Sequence, residues 1–325
     1  MSENKPIASL SLDLDNLWSY MKTHGDAGWE TFPSYLDVVV PRILEFLEKR
    51  DLKITFMIVG QDAALEKNFS VIQSIAEAGH EIGNHSFNHE PWLHLYSEKQ
   101  IEEEISRTEV HIQRVTGEHP VGFRGPGYSL SASVLQILSR HGYRYDASTF
   151  PSFLGPLARA YYFMTTKLPS DEKELRKQLF GGFKDGFQPL RPYCWQIESG
   201  HAKIIEIPVT TLPIFKIPFH VSYLLYISRF SKWLARFYFK SALALCRITR
   251  TPPSLLLHPL DFLGSEDVRE LSFFPGMDLT SGVKIKLVSD FLEIFSTLFT
   301  VVPIQQQVDM LCQGSEALSS LPFQR

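Results

Sequence analysis

Short apolar runs alternate with amphipathic stretches through residues 7–146, and the alternation predicts strands and helices in turn. Residues 7–12 read as a strand ending at Asp13. Ser34 or Asp37 opens a helix running toward Arg50, with Pro41 tolerated only near its first turn. Residues 53–59 form a buried strand closed by Gly60, and residues 68–78 a helix stopped by Gly79, a good residue to follow a helix C-terminus. Residues 80–84 form a short strand that delivers His85. Ser97 and Gln100 make a capping-box pair at the head of a helix that runs to Thr116, before Gly117. Residues 121–123 are a strand that delivers Arg124, Ser131 caps a helix closed by Gly142, and residues 143–145 are a strand that delivers Asp146. Alternation this regular predicts an α/β fold with a parallel sheet and right-handed crossovers.

The pattern breaks over residues 147–200, which hold Tyr161-Tyr162-Phe163 and Phe180-Gly181-Gly182-Phe183 and read as an aromatic-rich insertion rather than a second domain. It resumes with strands at residues 203–209 and at Ser254–Leu257, the latter delivering His258. A helix over residues 283–299 and a last strand over residues 299–302 follow, and residues 314–325 read as a frayed tail. One domain therefore spans residues 1–325.

Within residues 212–250, Phe219, Tyr223, Tyr226, Phe230, Trp233 and Phe237 recur at steps of four and three, which predicts one aromatic stripe on a helix. Arg229, Lys232, Arg236 and Lys240 keep the same rhythm on an adjoining face, and no Asp or Glu occurs from residue 207 to residue 260. A stripe of this kind is either the core side of a barrel helix or, with its cations, the contact face for an anionic membrane surface. A protein–protein interface is the third reading.

Composition narrows the field. With 325 residues, 44% hydrophobic, the chain can bury a large core. A net charge of −4 gives no general reason to expect nucleic acid as a partner. Only three cysteines occur, too widely spaced for a zinc knuckle or a disulfide framework. The first six residues are polar with no apolar signal core, and no apolar run reaches the roughly 18 residues of a membrane span. Together these point to a cytoplasmic protein, at most peripheral on the inner face of the cytoplasmic membrane.

Chemistry gathers at the predicted strand ends. His85 and His89 are four apart, a spacing that on a helical turn puts both imidazoles on one face. With a carboxylate from Asp13 or Asp15 they suit a divalent ion such as zinc and leave positions open for water and substrate. Such an ion acidifies water and polarises a carbonyl. Asp13 and Asp15 lie two apart, so on an ideal strand they share a face, and one serves as base while the other binds metal. His258, at the end of a buried run, is the candidate acid, with Asp146 as the carboxylate that raises its pKa. Arg124 would hold the basic aspartate ionised. His80 and His94 have no partner at useful spacing and read as structural.

The order and identity of these stretches resemble the polysaccharide deacetylases, the NodB-homology domain or carbohydrate esterase family four. Ser11-Leu12-Asp13-Leu14-Asp15 resembles a spaced form of the family's first motif, and His85-Ser86-Phe87-Asn88-His89 matches the second in full. Arg124-Gly125-Pro126, Tyr143-Arg144-Tyr145-Asp146 and Leu256-Leu257-His258 resemble the third, fourth and fifth. The resemblance implies a distorted or incomplete (β/α)7 barrel and metal-dependent removal of an N-acyl group, acetyl or formyl, from a sugar. It implies Asp13 as base, Asp15, His85 and His89 as ligands of a metal, zinc being favoured, and Arg124, Asp146 and His258 as the remaining catalytic set. The expected substrate is an acylated sugar, a lipid-linked saccharide being favoured over a secreted polymer. The alternatives are hydrolysis of a small amide or ureide, or an inactive barrel acting as a glycan-assembly scaffold.

Overall fold

A computed structural model of the chain describes residues 5–155, 182–197, 203–314 and 318–323. Its centre is a sheet with strands β1 (Ile7–Asp13), β2 (Thr55–Ile58), β3 (Glu81–Asn84), β4 (Gly122–Phe123), β5 (Tyr145–Asp146), β6 (Tyr193–Gln196), β7 (Ile205–Glu206), β8 (Ser254–Leu257), β9 (Thr300–Val302) and β10 (Ser320–Pro322). The spatial order is β10-β6-β7-β5-β4-β3-β2-β1-β8, with β9 added to the start of β1. Every pairing is parallel except β6 with β7. The sheet is open between β8 and β10, as an incomplete barrel requires.

Register sets the site. Leu12 pairs with Leu257, Asp13 with Met57, Met57 with Gly83, Asn84 with Phe123 and Phe123 with Asp146. In parallel strands this brings Asp13, His85, Arg124, Asp146 and His258 to one edge, the carboxyl ends of the strands.

The helices close where the sequence punctuates them. They are α1 (Leu17–His24), α2 (Leu36–Glu48), α3 (Gly60–Ala64), α4 (Phe69–Glu77), α5 (Glu98–Thr116) and α6 (Ala132–Arg140), followed by α7 (Val221–Ser228), α8 (Lys232–Ile248), α9 (Ser281–Leu298) and α10 (Ile304–Gln313). The Ser97–Gln100 capping box heads α5, Gly117 ends it in the left-handed region, and the Ser131 hydroxyl caps α6. Pro41 lies deeper than the first turn, as the sixth residue of α2, where it removes only the bond to the Asp37 carbonyl. The main core packs α2, α4, α7, α8 and α9 on β1, β2 and β8, and a second packs α5 and α6 on β4 and β6.

Three expectations change. Residues 314–325 are not simply a tail: β10 pairs with β6, and Phe323 packs on Trp195 at 5.4 Å between ring centroids. Edge strand β6 offers unpaired backbone groups, and the alternating Leu321 and Phe323 supply a face to bury on it. Of the 147–200 insertion, residues 156–181 and 198–200 lie outside the described residues, while β6 belongs to the sheet. The aromatic stripe spans two helices, because the Ser231 hydroxyl caps a new helix, α8, after a break at residues 229–231. Only Phe219 of the stripe is buried; Tyr223 and Tyr226 are partly open, Phe237 is 56% exposed, and Phe230 and Trp233 are 73% exposed. The core reading of the stripe therefore fails.

Gly122, just before the strand end that carries Arg124, tests the packing. A Cβ there would lie 1.9 Å from Tyr145 Cζ, and that ring is buried with its hydroxyl donating to Glu81 Oε1 at 2.6 Å. Gly122→Ala should destabilise the fold by about 1–3 kcal/mol. The check is the urea midpoint, expected to fall with an unchanged m-value; an unmoved midpoint would refute the tight fit.

Candidate metal centre and catalytic site

His85 and His89 do not lie on a helix. After β3 the chain enters a loop in which Ser86 (φ 58°) and His89 (φ 52°) are left-handed, a conformation that costs energy for residues with a side chain. Neighbouring groups hold it there. Asn84 Oδ1 accepts from the Ser86 N–H at 2.9 Å, and Asn84 Nδ2 donates to Tyr143 Oη at 2.7 Å. Glu104 of α5 accepts from the N–H groups of Phe87 at 2.9 Å and Asn88 at 2.8 Å. The ring centroids of His85 and His89 end 5.0 Å apart. Glu104 was missed in the sequence reading, although an acidic residue among Ile101, Ile105 and Thr108 on the buried face of α5 marked it out.

Asp15 completes the cluster. Its Oδ1 lies 2.9 Å from His89 Nε2 and 3.4 Å from His85 Nε2. One donor atom from each of the three falls within 4.8 Å of the others. β1 stops at Asp13, so Asp15 sits beyond the strand: Asp15 faces the imidazoles while Asp13 faces Arg124. The His85 Nδ1–H donates to the Arg124 carbonyl at 2.6 Å, so Nε2 is the atom turned to Asp15. Tyr35 Oη holds the Asp15 carbonyl at 2.6 Å, and Asn16 caps α1 and donates to Asp62 at 2.7 Å.

The charges sort themselves accordingly. Burial pushes the Asp15 carboxyl up, but His89 and His85 outweigh it and hold it well below the usual range. Burial pushes His85 down, but Asp13 and Asp15 raise it above its ordinary value. Asp15 Oδ1 is buried yet takes no well-directed hydrogen bond, and neither does His89 Nδ1. A buried acceptor left without a donor, facing two imidazole nitrogens, fits a divalent cation.

Beside this cluster Arg124, fully buried, donates from Nη1 to Asp13 Oδ1 at 2.5 Å and to Ser11 Oγ at 3.0 Å, and from Nε to the Ala147 carbonyl at 2.9 Å. Burial pulls its pKa down and Asp13 more than restores it. The turn after Arg124 needs its glycine: a Cβ on Gly125 would fall 1.9 Å from the Ser129 carbonyl oxygen. Tyr128 (φ 62°) is left-handed and stacks on Phe150 at 4.7 Å.

His258 sits one step beyond the Leu12–Leu257 pair and so stands level with Asp13 on the adjacent strand. Its backbone N–H donates to Asp261 Oδ2 at 2.9 Å, and its Nδ1 lies 3.2 Å from Ser222 Oγ, which donates to Asp261 Oδ1 at 2.8 Å. The His220 ring is 5.7 Å away. Burial raises the Asp261 carboxyl, with His258, Ser222 and Lys284 opposing.

Asp146 does not serve His258, contrary to expectation. Its carboxyl accepts from the Ser148 hydroxyl at 2.6 Å and lies against Glu206, which accepts from the Thr149 N–H at 3.0 Å and Trp195 Nε1 at 2.8 Å. Burial raises both carboxyls; Asp146 pushes Glu206 further up, whereas the hydrogen bond with Glu206 pulls Asp146 partway back down. The carboxylate packed on His258 is Asp261, three residues on in the chain. That spacing was readable as a cap; the contribution of Ser222 from α7 was not. His80 and His94 lie apart from the site, His80 Nδ1 accepting from the Ile54 N–H and His94 meeting Ser129.

Residues 22–145 match the family model described as polysaccharide deacetylase. The peptidoglycan deacetylase of Helicobacter pylori is 27% identical over 149 residues, 44% of this chain and 49% of its own length. A peptidoglycan-N-acetylglucosamine deacetylase of Bacillus cereus is 36% identical over 86 residues, 26% of this chain and 30% of its own. The matches thus span about half or less of these relatives. Among solved structures, a Mycobacterium smegmatis protein assigned to the polysaccharide deacetylases superposes with a TM-score of 0.60 at 17% identity, covering 100% of this chain and 96% of that one. An allantoinase superposes at 0.54 and 16%, covering 93% and 88%. At these identities the two structures speak for the fold. The matched segment carries His85, His89 and Arg124, so this part of the chain is similar to the polysaccharide deacetylases, on a fold shared with the two structures.

Proposed function

We propose that the protein is a metal-dependent deacylase that hydrolyses an N-acyl group on a saccharide. The observation that carries this is the meeting, at one sheet edge, of the Asp15–His85–His89 donor set, the Asp13–Arg124 pair and His258. Asp15, His85 and His89 would hold a divalent ion, zinc being the ion that this donor set favours. Bound there, the ion supplies Lewis acidity, polarising the acyl carbonyl and acidifying water.

The remaining steps belong to the chain. Arg124 fixes one oxygen of Asp13, and Asp13 takes the proton of the attacking water as the water oxygen bonds to the acyl carbon. The Gly127 backbone N–H is the candidate that stabilises the oxyanion, because the Tyr128 N–H is taken by the Gly125 carbonyl at 3.0 Å. As the carbon–nitrogen bond breaks, His258 protonates the departing amine, leaving a free amine and a carboxylate.

The same proposal extends to a lipid-linked saccharide met at an anionic membrane surface on the cytoplasmic side. Its support is the open aromatic face of α7 and α8, with Lys232 and Lys240 beside Phe230, Trp233 and Phe237. Arg229 and Arg236 of that face pair with Asp278 and Asp290. The face leads toward the site, since Tyr223 packs on His220 at 4.6 Å and His220 neighbours His258. No helix among the described residues is long and apolar enough to cross a membrane.

Turnover of an N-acetylated glucosamine oligosaccharide should vanish on chelation and return with added divalent ion, with one equivalent of metal found by elemental analysis. Asp13→Asn should lower kcat about 10²–10⁴-fold and keep its metal. Loss of metal in Asp13→Asn but not in Asp15→Asn would exchange the two roles. For the membrane reading, the protein should float with anionic vesicles at low salt and less so at high salt. A Phe230→Ser/Trp233→Ser/Phe237→Ser variant should not float. A wild-type protein that stays with the unbound fraction removes this reading and leaves the deacylase proposal intact.

A further inference from the structure

We propose that Ser222 and Asp261 are positioning residues for His258, forming a hydroxyl relay that fixes Nδ1 as the donor nitrogen and turns Nε2 to the leaving group. The proposal rests on the reading of His258 as the acid.

The direction of the relay follows from counting protons. A serine hydroxyl has one, and Ser222 Oγ lies 2.8 Å from Asp261 Oδ1 and 3.2 Å from His258 Nδ1. A carboxylate only accepts, so the hydroxyl proton goes to Asp261. The serine oxygen then has lone pairs alone to offer Nδ1, and Nδ1 must carry a hydrogen. That leaves Nε2 as the nitrogen that picks up a proton and gives it away. Once it has done so, the imidazolium faces a buried carboxylate through one hydroxyl.

Asp261 is held for this task. It is 1% exposed, and its Oδ2 accepts the backbone N–H of His258 at 2.9 Å, which stops the carboxylate from rotating. Pro259 and Asp261 lie in one tight turn directly after β8. Lys284 of α9, also buried, donates to the Leu260 carbonyl at 2.8 Å and puts a cation beside the turn. A cap alone explains the Oδ2 bond. It does not explain the second bond, to a serine 39 residues away on α7. Asp146 leaves the place open, because its own bonds are to Ser148 and its neighbour is Glu206.

Asp261→Asn separates the cap from the relay. The amide oxygen can keep the His258 N–H, but the amide nitrogen then donates to Ser222, whose proton turns to Nδ1 and forces the opposite tautomer. In protein labelled with 15N at histidine, the His258 resonances, identified by their loss in His258→Gln, should report Nδ1–H in the wild type and Nε2–H in Asp261→Asn. On an N-acetylated glucosamine oligosaccharide, Asp261→Asn should lower kcat about 10²–10⁴-fold with KM and bound metal unchanged. Ser222→Ala should lower kcat at least tenfold, and Ser222→Thr, which restores a hydroxyl, should recover most of it. An Nε2–H tautomer in the wild type, or a tautomer and kcat unmoved in both Asp261→Asn and Ser222→Ala, overturns the relay. The tautomer is read without substrate, so a shift in Asp261→Asn upholds the relay even where the wild type turns over no saccharide, the result that would sink the deacylase reading.

Discussion

The site depends on one buried cation. Arg124 carries its charge where no water reaches it, a position that is strongly unfavourable unless the charge is paired and its N–H groups are satisfied. Asp13 pairs the charge, and Ser11 and the Ala147 carbonyl take further bonds from Nη1 and Nε, while Nη2 has no partner among the described residues; these contacts tie the end of β4 to the end of β1 and to the chain after β5. The backbone of the same residue does a second job, since its carbonyl takes the Nδ1–H of His85 and aims Nε2 at Asp15. One residue thus holds both the Asp13 carboxylate and the orientation of His85. Its place in the chain is fixed in turn by the pairing of Asn84 with Phe123 and by the tight turn at Gly125.

Around that centre the buried carboxyls are distinguished by what they face. Asp13 faces a guanidinium, and Asp15 faces two imidazoles that favour its charged form. Asp146 and Glu206 face each other; burial favours the protonated form of both, and the proximity of Asp146 adds to this for Glu206. Asp261 lies between, buried but receiving bonds from Ser222 and His258. Five similar side chains in one small region take different roles because their neighbours differ, not because their own chemistry does.

Helix α7 joins two environments. Ser222 reaches the turn that holds His258, and His220, just before the helix, packs beside the same ring. Tyr223 and Tyr226 open outward and continue into Phe230 and the stacked pair Trp233–Phe237, whose centroids are 5.5 Å apart. On the membrane reading proposed above, a segment that is apolar and exposed on one side and in contact with His258 on the other would bring an amphiphilic substrate's sugar to the reacting groups. This physical continuity is what sets the aromatic face apart from scattered surface hydrophobics.

Much of this was legible before folding. Strand ends are local patterns, and in a parallel sheet local order is enough to predict that Asp13, His85, Arg124 and His258 share an edge. The capping box of α5 and the stops at Gly79, Gly117 and Gly142 are likewise local, since each depends on a few consecutive residues. What stayed hidden depends on distant partners. The left-handed loop of His85–His89 exists because Glu104 of α5 accepts its N–H groups, and a four-residue spacing cannot report that. The carboxylate beside His258 is Asp261 rather than Asp146 because Ser222 arrives from α7 and Glu206 takes up Asp146. The aromatic stripe has the same sequence whether it is core or surface, and only the packing of α8 on α9 turns Phe239 inward and leaves Trp233 in the open. Sequence by itself determined which chemical groups arrive at the mouth of the sheet; tertiary structure decided which of them touch, because contact between far-apart residues is a property of the packed chain and not of any stretch of it.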